Sequence, residues 1–165
     1  MTAIATPRIE SRELVRTPMR AFLEGTHDQW LGEVKRVLDP ASDAGAGIWL
    51  RWRALEYLET GFSRRFERER RAVLSLSGRF TDAQASHLWA AGELLAQLLE
   101  SLRHRVGLCQ RGEQFTALAL TLMTALNHWC RHVEEVLGSV SWGDVSHESR
   151  GLFEVITFDE ANHGS

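Results

Sequence analysis

Between residues 88 and 106 the apolar side chains return every third or fourth position. Leu88, Ala91, Leu95, Leu98, Leu99, Leu102 and Val106 share one face, which predicts a helix over 81–106. The same period carries Phe115, Leu118, Leu122, Leu126, Trp129, Val133 and Val136 and predicts a helix over 113–137. Upstream, Leu31, Val34 and Leu38 form a shorter stripe with His27. Thr26 and Gln29 have capping-box spacing, so this helix is expected to start near His27 and stop before Pro40. A further helix is expected over 48–77, with Leu58, Phe62 and Val73 inward. Thr81 and Gln84 form a second capping box.

The joints DPASDAGAG (39–47) and GLCQRG (107–112) are rich in small or turn-forming residues. Residues 8–23 form a lead-in interrupted by Pro18. After Gly138 the helical period fades, and FEVITF (153–158) is expected as a short strand or extended piece. Short joints make consecutive helices antiparallel neighbours. The expectation is therefore an all-α, antiparallel up-down four-helix bundle. Its single domain spans 1–138, with core helices at about 27–38, 48–77, 81–106 and 113–137. An irregular tail, 139–165, packs on the bundle or is partly disordered.

Composition narrows the function classes. With 44% hydrophobic and 25% charged residues, the 165-residue chain can bury a core. A net charge of −3 argues against general nucleic-acid binding. Cys109 and Cys130 make no CxxC pair, which fits a reducing cytoplasm. The stretch MTAIATPRIESREL has no signal-peptide pattern, and FTALALTLMTAL (115–126) is too short and threonine-rich to span a membrane. Arg64, Arg68 and Arg71 lie together on the second helix with Glu67 beside Arg71, the pattern of a solvated face. Of six tryptophans, Trp49, Trp52 and Trp142 stand where they could serve a contact surface as well as fill a core.

Several polar residues sit on or beside apolar stripes. His27 shares its stripe with leucines and needs a partner. His128 and His132 are at i, i+4, the spacing for two ligands of one metal, although the wheel turns His128 toward solvent. If the third and fourth helices are antiparallel, His87 falls level with His132, and His27 can reach the same end of the bundle. Arg65 and Glu69 border the core side of the second helix. His104, His147 and His163 carry no signal.

Segments around these residues resemble hemerythrin-like domains. LEYLETGFSRRFERERRAVLSL (55–76) is similar to that family's second core helix, which reads as spaced leucines and then His-Phe-x-x-Glu-Glu. HDQWLGEVKRVL (27–38) resembles the first helix, HLWAAGELLAQLLESL (87–102) the third, and ALNHWCRHVEEVL (125–137) the fourth. The likeness covers about residues 20–140 and lies in pattern and helix order. It implies a bundle holding a non-haem di-iron centre of histidines and carboxylates. Carried over, His27 matches the first-helix histidine and Glu69 the second-helix acid. Arg65 stands where a histidine is expected. His128 matches the fourth-helix histidine, and His132 stands where an acid follows. The third-helix histidine falls on Leu88 or Gly92, with His87 one residue off.

The candidate metal set is thus His27, Glu69, His87, His128 and His132, and Arg65 is expected to pair with Glu69 in a pseudo-site salt bridge. No phosphate loop, Ser–His–Asp order, paired-cysteine zinc motif or pair of Glu-x-x-His motifs is present. Two readings follow. The first is a hemerythrin-like protein with an incomplete site, binding one or two iron ions for oxygen or nitric oxide sensing or for iron handling. The second is a metal-free helical bundle that regulates through contacts with a protein partner or a second copy. Neither calls for an enzyme, a membrane or a nucleic acid.

Overall fold

The computed structural model describes residues 17–102 and 105–163, with side chains over 17–102 and 108–156. Its described residues are all-helical, and the sole β pairing among them is an isolated bridge between Pro18 and Ser141. Residues 8–16 of the expected lead-in lie outside the described residues, as does His104.

Helix α1 runs from Arg20 to Ser42. It starts a turn and a half before the expected cap. The Thr26 hydroxyl bonds back to the Leu23 carbonyl at 3.2 Å instead of capping a new helix. The true start is tied down by tertiary contacts. Met19 N–H donates to the Val140 carbonyl (2.8 Å) and Trp142 N–H to that of Thr17 (2.9 Å), which joins the entry of α1 to the segment after Gly138. Pro40 does not end the helix. It sits in the last turn on the exposed face, where the Arg36 carbonyl that loses its partner can bond water.

The expected second helix is α2 (Ile48–Tyr57), a π-turn (Leu58–Phe62) and α3 (Ser63–Leu74), followed by a 3-10 turn at Ser77–Arg79. The Ser63 hydroxyl reaches back five residues to the Leu58 carbonyl at 2.9 Å. Such turns shift the phase of a helix face. Beyond this one, Arg65, Phe66, Glu69, Ala72 and Val73 are all buried.

Helix α4 (Asp82–Ser101) begins at the expected capping box. Thr81 Oγ1 accepts from Gln84 N at 3.2 Å, and Gln84 Oε1 accepts from Thr81 N at 3.0 Å. The expected turn at 107–112 is largely a short helix, α5 (Arg105–Gln110), leaving Arg111 to break the chain before α6 (Gly112–Leu137). α5 packs on α2, where buried Arg51 donates to the Cys109 and Ala46 carbonyls at 2.7 and 2.9 Å. Those bonds serve carbonyls that a loose turn would leave to solvent.

The tail also departs from expectation, because FEVITF lies inside helix α7 (His147–His163). Ser146 Oγ accepts from Ser149 N at 3.1 Å and opens this helix. Phe153 and Ile156, three residues apart, are buried apolar side chains of α7, Ser149 is buried one turn earlier, and α7 packs on α3. Phe153 joins Phe22 and Trp142 in edge-on contacts with centroids 5.1–6.4 Å apart. Elsewhere α1 packs on α6, and α6 on α4. A Cβ on Gly92 would lie 3.1 Å from the Trp129 ring, so this glycine lets the indole fill the space between α4 and α6.

Candidate functional site

Three helices bring charged side chains into the middle of this core. His27 comes from α1, Arg65 and Glu69 from α3, and Trp129, Cys130 and Glu134 from α6. His27 and Glu69 are each 1% exposed and Arg65 is 8% exposed, so any unbalanced charge here would be costly.

The contacts balance it. His27 Nε2 lies 2.7 Å from Glu69 Oε1, and the Trp129 indole N–H donates to Glu69 Oε2 at 2.6 Å. The other imidazole nitrogen, Nδ1, faces Glu134 Oε2 at 3.4 Å, within ion-pair reach but longer than a good hydrogen bond. Arg65 donates to the Ile156 carbonyl at 3.2 Å and the Thr26 carbonyl at 3.3 Å, and its guanidinium lies 5.0 Å over the Trp30 ring. The expected Arg65–Glu69 pair takes a different form. Both Glu69 oxygens are engaged by His27 and Trp129, while the charge of Arg65 acts on Glu69 through space.

The titration of each group follows. Burial alone pushes the His27 imidazole down, but the charge and hydrogen bond of Glu69, then Glu134, outweigh it and the pKa is raised. Burial pushes Glu69 up. The charge and hydrogen bond of His27, the charge of Arg65 and the indole N–H outweigh that, so the carboxyl is lowered. Burial and the nearby Glu69 and Glu134 carboxylates push the Cys130 thiol far up, leaving it an inert thiol. Both shifts favour the ion pair of His27 with Glu69, with Glu134 on the other side of the ring and a guanidinium beside them.

These residue types could serve iron, but their arrangement does not fit it. A metal needs an imidazole lone pair, and both His27 nitrogens point at carboxylates on opposite sides of the ring. Arg65 offers no lone pair at all. On α4, Leu88 is core, and Gly92 gives its space to Trp129. Among the described residues no group of three or more His, Cys, Asp or Glu is placed to hold a metal ion.

Of the residues singled out from the sequence, His27 and Glu69 meet, with Arg65 beside them. His87, His128 and His132 gather separately, at the outer edge of α4 and α6. His128 Nε2 is 3.1 Å from His132 Nε2, and the His87 and His132 rings are 5.9 Å apart. His87 and His128 are exposed and His132 half-buried. Partial burial, then the neighbouring His128, lowers the His132 pKa. Glu135 opposes this shift, and His87 adds to it.

Trp129, Cys130 and Glu134 are the site residues that the sequence reading passed over. Cys130 and Glu134 repeat the i, i+4 spacing of Arg65 and Glu69, two residues along from His128 and His132. That register was the available signal. No family model, curated protein or solved structure matches the chain. Among the described residues no helix is long and apolar enough to cross a membrane.

Proposed function

We propose that this chain is a hemerythrin-like, antiparallel up-down four-helix bundle whose interior metal site has been replaced by an ion-pair network, and that it works as a regulatory protein through contacts with other protein. One observation carries the reading. The His27 ring is hydrogen-bonded at Nε2 to Glu69 at 2.7 Å and faces Glu134 at 3.4 Å from Nδ1, in the layer where the family resemblance puts iron ligands. Arg65 supplies a fixed charge where that resemblance calls for a histidine, and it would repel a cation there.

The contact surface is a matter of exposure. Trp30, Trp129 and Trp142 are buried and Trp89 is half-buried, so they fill the core. Trp49 is 69% exposed, beside Ile48 at 57% and Leu50 at 43%, with Trp52 one turn on. Large apolar side chains clustered in water favour protein contact.

The iron-binding reading rests on one feature. His27, Glu69 and Glu134 come from three helices and are residue types that bind iron. Anaerobic ferrous loading of tag-free protein separates the two readings. The proposal expects less than a full pair of tightly held iron ions in the wild type, and more in Arg65→His, which restores a ligand one turn from Glu69. A full pair in the wild type would overturn the closed-site reading.

A further inference from the structure

The histidines at the edge of α4 and α6 are outside the buried network, and the closed interior gives them no role. His128 and His132 are one turn apart on α6, so both rings project to the same side of a rigid helix. Their Nε2 atoms are 3.1 Å apart and the rings stand at 88°. Two imidazole nitrogens bound tetrahedrally at about 2.0–2.1 Å from one metal ion would be separated by roughly 3.3 Å. The two nitrogens therefore already sit near the separation that a shared metal ion requires.

We propose that His128 and His132 chelate one late first-row divalent ion, of the class of Zn²⁺, Ni²⁺ or Cu²⁺, and that His87 turns in from α4 as the third ligand. The ring of His87 is 5.9 Å from that of His132, and its side chain is exposed, so a rotamer change can bring it in. Water completes the coordination on the open side. Imidazoles without thiolates select these metals over Mg²⁺ or Ca²⁺, which prefer oxygen.

The surroundings suit the tautomers that a metal needs. Glu135 Oε2 lies 3.7 Å from His132 Nδ1, on the ring edge away from His128. At that distance the carboxylate makes no hydrogen bond, but its charge favours the proton on Nδ1, and a small side-chain rotation would close the contact that orients many metal-bound histidines. With that tautomer and no metal, His128 Nε2–H would donate to the His132 Nε2 lone pair. With metal, a proton on His128 Nδ1 would leave its Nε2 free to act as a ligand. His128 also lines an open groove with Leu94, Leu120, Thr124 and Arg131, which leaves it reachable from solvent. The proposal does not depend on whether the buried network excludes iron.

The experiment uses tag-free, chelator-treated full chain titrated with ZnCl₂ and NiCl₂ by calorimetry. Cu²⁺ electron paramagnetic resonance then reports nitrogen coordination. One ion per chain should bind, His128→Ala and His132→Ala should each weaken binding by about tenfold or more, and Mg²⁺ should not compete. These ligands are exposed or half-buried, so the variants should fold, which unchanged circular dichroism would check. His147→Ala should bind as wild type. Binding that fails to saturate at millimolar Zn²⁺, or that survives either α6 substitution, would overturn the site. Unchanged affinity in His87→Ala would overturn the part assigned to α4.

Discussion

Glu69→Gln tests the buried network at its centre. The change is nearly isosteric and removes one negative charge from a side chain that is 1% exposed. In the wild type the two carboxylate oxygens serve two donors, His27 Nε2 at 2.7 Å and Trp129 Nε1 at 2.6 Å. An amide has one oxygen, so one of those donors would face an NH₂ group. Removing one partner of a buried charged pair costs about 3–5 kcal/mol, and a stranded donor alone about 1–3 kcal/mol. His27 can shed its proton in response, which brings the expectation to the low end, about 3 kcal/mol at neutral pH. For a chain of this size that lowers Tm by roughly 6–12 °C. Urea denaturation followed by tryptophan fluorescence reads it directly, because Trp30 and Trp129 are fully buried. The double variant His27→Gln/Glu69→Gln should lose less than the sum of the single losses, since the two groups are coupled. A Glu69→Gln loss below about 1 kcal/mol, or simple additivity, would mean that His27 and Glu69 are not a coupled buried pair.

Arg65→Ala removes the donors that join the Thr26 and Ile156 carbonyls. It should cost about 1–3 kcal/mol and raise hydrogen exchange in α7 more than in α4, and a value within error of zero would make Arg65 ordinary surface. The folded pKa of His27 lies above the ordinary 6.5, so its contribution is complete below about 6.5 and is lost as pH rises through the raised value. The folded pKa of Glu69 lies below the ordinary 4.5, so its contribution is complete above about 4.5 and is lost as pH falls through the lowered value. Urea midpoints measured across pH should show the alkaline loss in the wild type and its absence in His27→Gln.

Much of the helical order was legible because α4 and α6 carry long leucine stripes and Thr81 and Gln84 form a real cap. The start of α1 was not, because Thr26 and Gln29 copy the spacing of a cap inside a continuous helix. α7 was hidden by its composition. Phe153, Val155 and Ile156 read as extended chain until Ser146 is recognised as the cap and α3 supplies a surface to pack on. At the site, His27, Arg65 and Glu69 stood out as polar residues on apolar stripes. The α6 partners did not, because the buried face of α6 runs through Ala119, Ala125 and Cys130, small residues that mark a stripe weakly. His128 and His132 drew notice by their i, i+4 spacing and the family resemblance, even though the wheel turns His128 toward solvent, while Cys130 and Glu134 on the buried side carried no such motif.

The raised His27 pKa, beside Glu69 and facing Glu134, leaves the ring protonated and without a lone pair for a metal in the proposed reading. Nitrogen-15 NMR of histidine-labelled protein at pH 6.5, where an unperturbed imidazole is half protonated, reads this directly. His27 should be protonated on both nitrogens, with shifts that Zn²⁺ leaves unchanged. A His27 half protonated or less at that pH, or shifted by stoichiometric Zn²⁺, would mean that the ring keeps a lone pair a metal can use.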